Sequence, residues 1–189
     1  MNNKKLHTKF YQKKNVLEIS KLLLGKILVT KINDIKTSGM IVETEAYAGI
    51  DDKASHAYRN KITDRTKTMY LKGGVGYVYL CYGIHYLFNV VTNTKNIPHA
   101  ILIRALEPFE GINKMCKRRN IQKMNYNLSN GPGKLSSALG INKNFDAKPL
   151  TSNKIWIEDI GIKIDKKNIL SSPRIGVDYA GKDAKLPYR

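Results

Sequence analysis

The sequence predicts an α+β fold, a single domain with a curved, largely antiparallel β-sheet core and surrounding helices. Three observations point there. A short stretch with helical apolar spacing stands near the start. Three strand-like runs cluster between residues 75 and 105. Further helical segments are interspersed after them. The chain has 189 residues, which suits one domain of ordinary size. A chain of that length buries about 70% of its unfolded surface, so it needs no disulfide or metal to hold a core. The whole of 1–189 is read as that domain, with 1–15 as a flexible basic N-terminus.

The elements follow in chain order. Val16 to Leu24 carries Val16, Leu17, Ile19, Leu22 and Leu23 at helical spacing, and Gly25 stops it. Lys26 to Ile32 and Met40 to Ala46 are β-rich. Ala48 to Leu71 has turn and charge composition without a period, and reads as loop with short helices. Gly73-Gly74 breaks the chain. Val75 to Cys81, His85 to Thr92 and Ala100 to Ala105 read as strands, with Tyr82-Gly83 as a hairpin tip. Pro108 to Arg119 reads as a basic helix. Gly131-Pro132-Gly133 opens another helix that Gly140 ends. Ile155 to Glu158 and Ile162 to Ile164 are short strands.

Composition narrows the class. Hydrophobic residues are 42% and charged residues 25%, which fits a globular protein and argues against disorder. No stretch approaches the ~20 apolar residues of a membrane helix. Met1 to Gln12 is polar and basic, unlike a secretory signal. Cys81 and Cys116 are too few for a disulfide framework or a Cys-rich zinc site, and read as reduced thiols in a cytoplasmic protein. Lys and Arg number 33 against 15 Asp and Glu, a net charge of +18. Compositional drift in a Lys-rich proteome is one source of such an excess; a nucleic-acid footprint is the other. The charge is blocked: residues 1–41 hold nine Lys and two acids, and 112–134 hold six basic residues and no acid. Residues 42–58 run the other way, with Glu43, Glu45, Asp51 and Asp52 against Lys53. Phosphates reward the basic blocks. The acidic island is a poor phosphate contact and a better place for a catalytic carboxylate.

Several residues carry candidate chemistry. In a strand, Glu43, Glu45 and Tyr47 share one face. That face is either plain solvent-facing surface or a general base beside an aromatic platform. Tyr77, Tyr79, Tyr82 and Tyr86 fall within ten residues. Tyr77 and Tyr86 read either as a half-buried ladder packed across strands or as groups of a site. Tyr82, at a Tyr-Gly turn, has little core to join, and its ring can stack on bases or wedge between them. His56 reads as surface decoration or as a site group, with no metal-ligand spacing around it. Arg104, inside an apolar strand, needs Glu45, Glu107 or a phosphate as partner. No phosphate loop or nucleophile elbow is present, and neither metal nor cofactor is expected.

Seven segments in order carry a resemblance across about Leu22 to Gly181. They are Leu23-Leu24-Gly25-Lys26, Ile41 to Tyr47, Tyr77 to Gly83, Phe88-Asn89-Val90, Leu102 to Pro108, Asn130 to Leu135 and Arg174 to Val177. Together they resemble the alkyladenine (3-methyladenine) DNA glycosylase family, in its bacterial type. The resemblance implies removal of alkylated or deaminated purines from double-stranded DNA by hydrolysis of the N-glycosidic bond. One carboxylate-activated water suffices for a base that departs readily, so a monofunctional enzyme is expected, and a monomer, since base flipping needs just one site. By the same resemblance Glu45 falls at the general base. Tyr47 stacks one face of the flipped base, and His56 and Tyr79 meet its other face and edge. Asn89 falls where a purine 2-amino group is rejected. Arg104 lies near the site and the DNA backbone. Tyr82 is the ring inserted into the minor groove. Thr63 and Arg65 belong to a loop facing DNA phosphates. A base must leave the duplex to be reached, at a few kcal/mol that damage lowers. Tyrosine faces favour a cationic methylated purine by ~0.5–2 kcal/mol.

Overall fold

A computed structural model describes residues 4–189. The strands and helices are β1 (Lys4–Lys5), α1 (Thr8–Tyr11), α2 (Val16–Leu23), β2 (Ile27–Ile32), β3 (Ile35–Tyr47), β4 (Gly76–Cys81), β5 (His85–Thr92), β6 (His99–Glu110), α3 (Ile112–Arg119), α4 (Pro132–Leu139) and β7 (Ile155–Asp159). The seven strands form one sheet in the order β1-β7-β2-β3-β6-β5-β4. Every pairing is antiparallel, as the α+β reading expects.

Local chemistry explains the helices. Asn15 caps α2, its Oδ1 accepting from the N–H groups of Leu17 and Glu18. The helix then buries Val16, Ile19 and Leu23. Pro132 sits in the first turn of α4, and Gly140 ends it with φ +70°. Both helices pack into the main core with Ile41, Val78, Phe88, Val90, Ile101 and Ile103. Strand alternation sends the neighbours of those residues the other way. Tyr77, Val91 and Ala100 join a second cluster with Ala57, Met69 and Tyr70. Helices therefore cover one face of β4–β6, and the irregular segment 49–71 covers the other. That segment holds three short 3₁₀ turns, Gly49–Asp51, Tyr58–Asn60 and Lys67–Tyr70.

Several boundaries differ from the sequence reading. β3 begins at Ile35, because Asn33 and Asp34 both take positive φ and turn a tight hairpin from β2. β6 continues to Glu110, so the helix expected from Pro108 starts only at Ile112. Gly111, with φ +74°, makes that junction. Ile162 to Ile164 is not a strand. The N-terminal segment, expected to be flexible over 1–15, is tied into the fold from Lys4 onward. Lys4 and Lys5 pair with Asp159 and Glu158 of β7, and Tyr11 is fully buried. Residues 1–3 lie outside the described residues. No helix among the described residues is long and apolar enough to cross a membrane.

Candidate active site

Register assembles the site. Glu45 of β3 pairs with Leu102 of β6, Leu102 with Asn89 of β5, and Asn89 with Tyr77 of β4. Residues directly opposite one another in neighbouring strands project to the same face. Glu45, Leu102, Asn89 and Tyr77 therefore form one row across four strands. Tyr47, Ala100 and Val91 form the next row. This is the face opposite α2 and α4, and a cavity of about 680 Å³ opens on it. Its walls include Glu45, Tyr47, His56, Arg65, Tyr77, Tyr79, Asn89 and Arg104. That volume is in the range of small-molecule sites.

Glu45 is fully buried, which excludes the reading of a plain solvent-facing strand surface. Its Oε1 accepts from the Ile175 N–H at 2.8 Å and lies 3.1 Å from Arg104 Nη1. Its Oε2 accepts from the Tyr47 hydroxyl at 2.8 Å. Burial first, and then the Glu45 charge, hold the Tyr47 phenol far above its ordinary value. Tyr47 thus stays a hydrogen-bond donor. Arg104 also donates through Nε to Glu43 Oε1 at 3.0 Å. Its partners are the two β3 carboxylates; Glu107 is exposed.

Behind Tyr47 stands a pair that the sequence reading missed. Arg174 and Asp52 are both buried and joined by two hydrogen bonds of 2.5 and 2.9 Å. Arg174 also donates to the carbonyl of Ala46 and lies 4.9 Å from the Tyr47 ring centre. Asp52 accepts from the N–H groups of Ala48 and Ala54. The pair therefore anchors the segment that leaves β3 and backs the Tyr47 ring. The acidic island and the Arg174 segment were visible in sequence, but not their 122-residue pairing.

His56 comes from the segment over the sheet. Its Nδ1 is 2.9 Å from the Tyr77 hydroxyl and its Nε2 is 3.3 Å from Arg65 Nη2. A guanidinium only donates, so Nε2 accepts and Nδ1–H donates to Tyr77. Its ring meets that of Tyr79 edge-on at 4.8 Å. Burial, reinforced by the Arg65 charge, pulls His56 from 6.5 down to about 4. The folded state then binds fewer protons than the unfolded state between these values, so stability falls as pH drops from 6.5 to 4. Urea unfolding across that window is expected to show a flatter pH dependence for His56→Gln than for wild type.

The remaining candidates divide. Asn89 is buried, and its Nδ2 donates to the Tyr77 carbonyl at 3.1 Å. Tyr79 lies on the wall with its phenol raised chiefly by burial. Arg65, expected in a phosphate-facing loop, lays its guanidinium 4.5 Å from the Tyr79 ring centre. Thr63 stays outside the cavity, exposed, with its hydroxyl 3.2 Å from that of Thr66. Tyr82 is 91% exposed at the β4–β5 tip. It takes φ +50° and Gly83 takes φ +73°, in a three-residue tip between the paired Cys81 and His85 that is closed by the Ile84 N–H donating to the Cys81 carbonyl at 3.1 Å. Sequence reading also passed over Ile175 and Tyr179, which line the mouth. The Tyr179 hydroxyl donates to the Ala54 carbonyl at 3.2 Å.

A buried carboxylate, an arginine beside it and tyrosines on a cavity wall, with an exposed ring near its mouth, make a site able to hold a flat aromatic group against an activated water. Known proteins share the sequence that builds it. Residues 9–189 match the family described as "Methylpurine-DNA glycosylase (MPG)". Similar curated proteins carry the name "Putative 3-methyladenine DNA glycosylase". The one from Chlamydia felis is 48% identical, covering 95% of this chain and 92% of its own length. Those from Clostridium novyi and Desulfitobacterium hafniense are 44% and 40% identical, covering 94% and 98% of this chain and 89% and 94% of their own lengths. With that match spanning every strand and helix that forms the cavity, the chain belongs to the methylpurine-DNA glycosylase family, whose members are hydrolases of N-glycosyl bonds.

Proposed function

We propose that the protein excises alkylated and deaminated purines, namely 3-methyladenine, 7-methylguanine and hypoxanthine, from double-stranded DNA in base excision repair. The observation that carries this reading is the fully buried Glu45 carboxylate in the same row as Asn89 and Tyr77. A purine rotated out of the duplex enters the cavity, with Tyr47 on one face and His56 and Tyr79 on the other face and edge. Tyr82 fills the gap left in the stack. Asn89, held by the Tyr77 carbonyl, disfavours a 2-amino group and so normal guanine, while 7-methylguanine overcomes that penalty because its cationic ring leaves readily. Arg65 exchanges its contact with Tyr79 for a DNA phosphate, and Thr63 contacts the same backbone.

Glu45 takes a proton from a water that Arg104 helps to hold. The water oxygen bonds to C1′ as the C1′–N bond breaks, and that electron pair leaves with the base. A methylated purine departs as a neutral molecule because it starts as a cation; hypoxanthine, which starts neutral, departs as its anion and takes a proton from water. The proposed reaction needs no cofactor and no nucleophilic lysine, and leaves an uncut strand with an abasic site. One copy of the chain suffices, acting on nucleoid DNA in the cytoplasm.

Single-turnover incubation with methylated DNA and with hypoxanthine duplexes tests this reading. The expected products are free base and a strand that breaks only after alkali. DNA binding with a steep salt dependence but no base release from any damaged duplex would make the protein a non-catalytic DNA binder.

A further inference from the structure

The Arg104 guanidinium is shared between two carboxylates, and only one of them lines the cavity. Nε donates to Glu43 Oε1 at 3.0 Å, while Nη1 lies 3.1 Å from Glu45 Oε1. The same Glu43 oxygen also accepts from Arg189 Nη1 at 2.8 Å. β3–β6 pairing makes this possible, because its register shifts on both sides of Glu43. Such irregularities re-aim side chains. Glu43 thereby reaches the arginine that also serves Glu45.

A carboxylate wholly neutralised by a guanidinium is a poor proton acceptor. An arginine drawn toward a second carboxylate neutralises the first only in part. We propose that Glu43 is a positioning residue that draws Arg104 partly away from Glu45 and so leaves the Glu45 carboxylate free to take a proton from water, with Arg189 setting how strongly Glu43 pulls. The inference rests on the reading of Glu45 as general base. The other groups around Glu45 are Tyr47 on its own strand and Arg174, which is neutralised by Asp52. Neither is altered by the variants below.

The two outer members of the network can be changed without touching Glu45 or Arg104. Glu43→Gln removes the competing anion, so Arg104 turns fully to Glu45. Arg189→Met frees Glu43 to take more of Arg104. Single-turnover base release is measured from pH 4 to 8, beside DNA affinity and thermal stability. For Glu43→Gln the acid limb is expected to move down, with a plateau rate about threefold to tenfold lower and DNA binding kept. For Arg189→Met the acid limb is expected to move up. Glu43→Asp restores most of the rate. A ¹³C-carboxyl NMR titration of Glu45 is expected to show the same opposite displacements of its midpoint, and does not depend on turnover. Unmoved or same-direction displacements in folded variants overturn the inference. Should Glu43→Gln fail to fold, Arg189→Met alone decides by the sign of its displacement. Loss of the proposed reaction itself is recognised separately, by wild type releasing no base while the NMR displacements still report on Glu43.

Discussion

Glu45→Gln is expected to lower the rate of base release at least ~10³-fold while DNA binding is kept or strengthened. The amide is nearly the same shape. Its oxygen still accepts from the Ile175 N–H, as the carboxylate does now, and keeps its place 3.1 Å from Arg104 Nη1. The Tyr47 hydroxyl, which donates to Oε2 at 2.8 Å, can rotate to accept from the new amide. Folding is therefore preserved, and what disappears is the capacity to take a proton from water. Removing a buried negative charge from a surface that meets phosphates also favours DNA. Single-turnover kinetics and fluorescence anisotropy on one hypoxanthine duplex measure both quantities. A variant that binds and still releases base at the wild-type rate would move the base function to another residue.

Arg174→Met is expected to reduce folding stability by ~3–5 kcal/mol, because it leaves Asp52 as an unpaired buried charge. That is a large fraction of the ~5–15 kcal/mol that holds a typical domain together. Two details favour the upper end. The pair is bidentate, and the arginine also holds the Ala46 carbonyl and that of Asp183. Arg174→Lys is not a conservative alternative, since one ammonium cannot reproduce the planar fork. Urea unfolding gives the stability directly. Base release is expected to fall as well in the folded fraction, because Arg174 backs the Tyr47 ring. A loss below ~1 kcal/mol would mean that water reaches Asp52 once the guanidinium is gone.

Much of the fold is legible in the chain itself. The apolar periods of α2, β4, β5 and β7 match the observed elements to within a residue or two. The Tyr82-Gly83 tip lies where turn chemistry puts it, and Gly25 and Gly140 end their segments with positive φ. The misread ends have local causes that pattern does not carry. Pro108 looks like a helix start, yet it sits in a strand opposite Gly39. A Cβ on Gly39 would come 2.8 Å from that of Leu106, so only glycine permits this approach. The basic N-terminus looked like a tail because lysines dominate it. Its few apolar residues decide otherwise, with Leu6 and Tyr11 buried.

The site divides along the same line. Composition, the acidic island and ordered motifs suffice to nominate Glu45, Tyr47, Tyr79, Tyr82 and Arg104, because each carries its chemistry in its own side chain. Sequence alone determined which residue types are present, where strands alternate, and how far positive charge exceeds negative. Only the tertiary structure decided which of them meet. Strand register put Glu45 in the same row as Asn89 and Tyr77, and shifts in that register let Glu43 share Arg104 with it. Chain return brought Arg174 to Asp52 and Arg189 to Glu43. The same folding laid Arg65 over Tyr79 rather than leaving it free in a loop. Alternation along a strand is a local property of the backbone. Register between strands, and pairing across more than a hundred residues, follow from burying one whole face at once, and no window of sequence contains that balance.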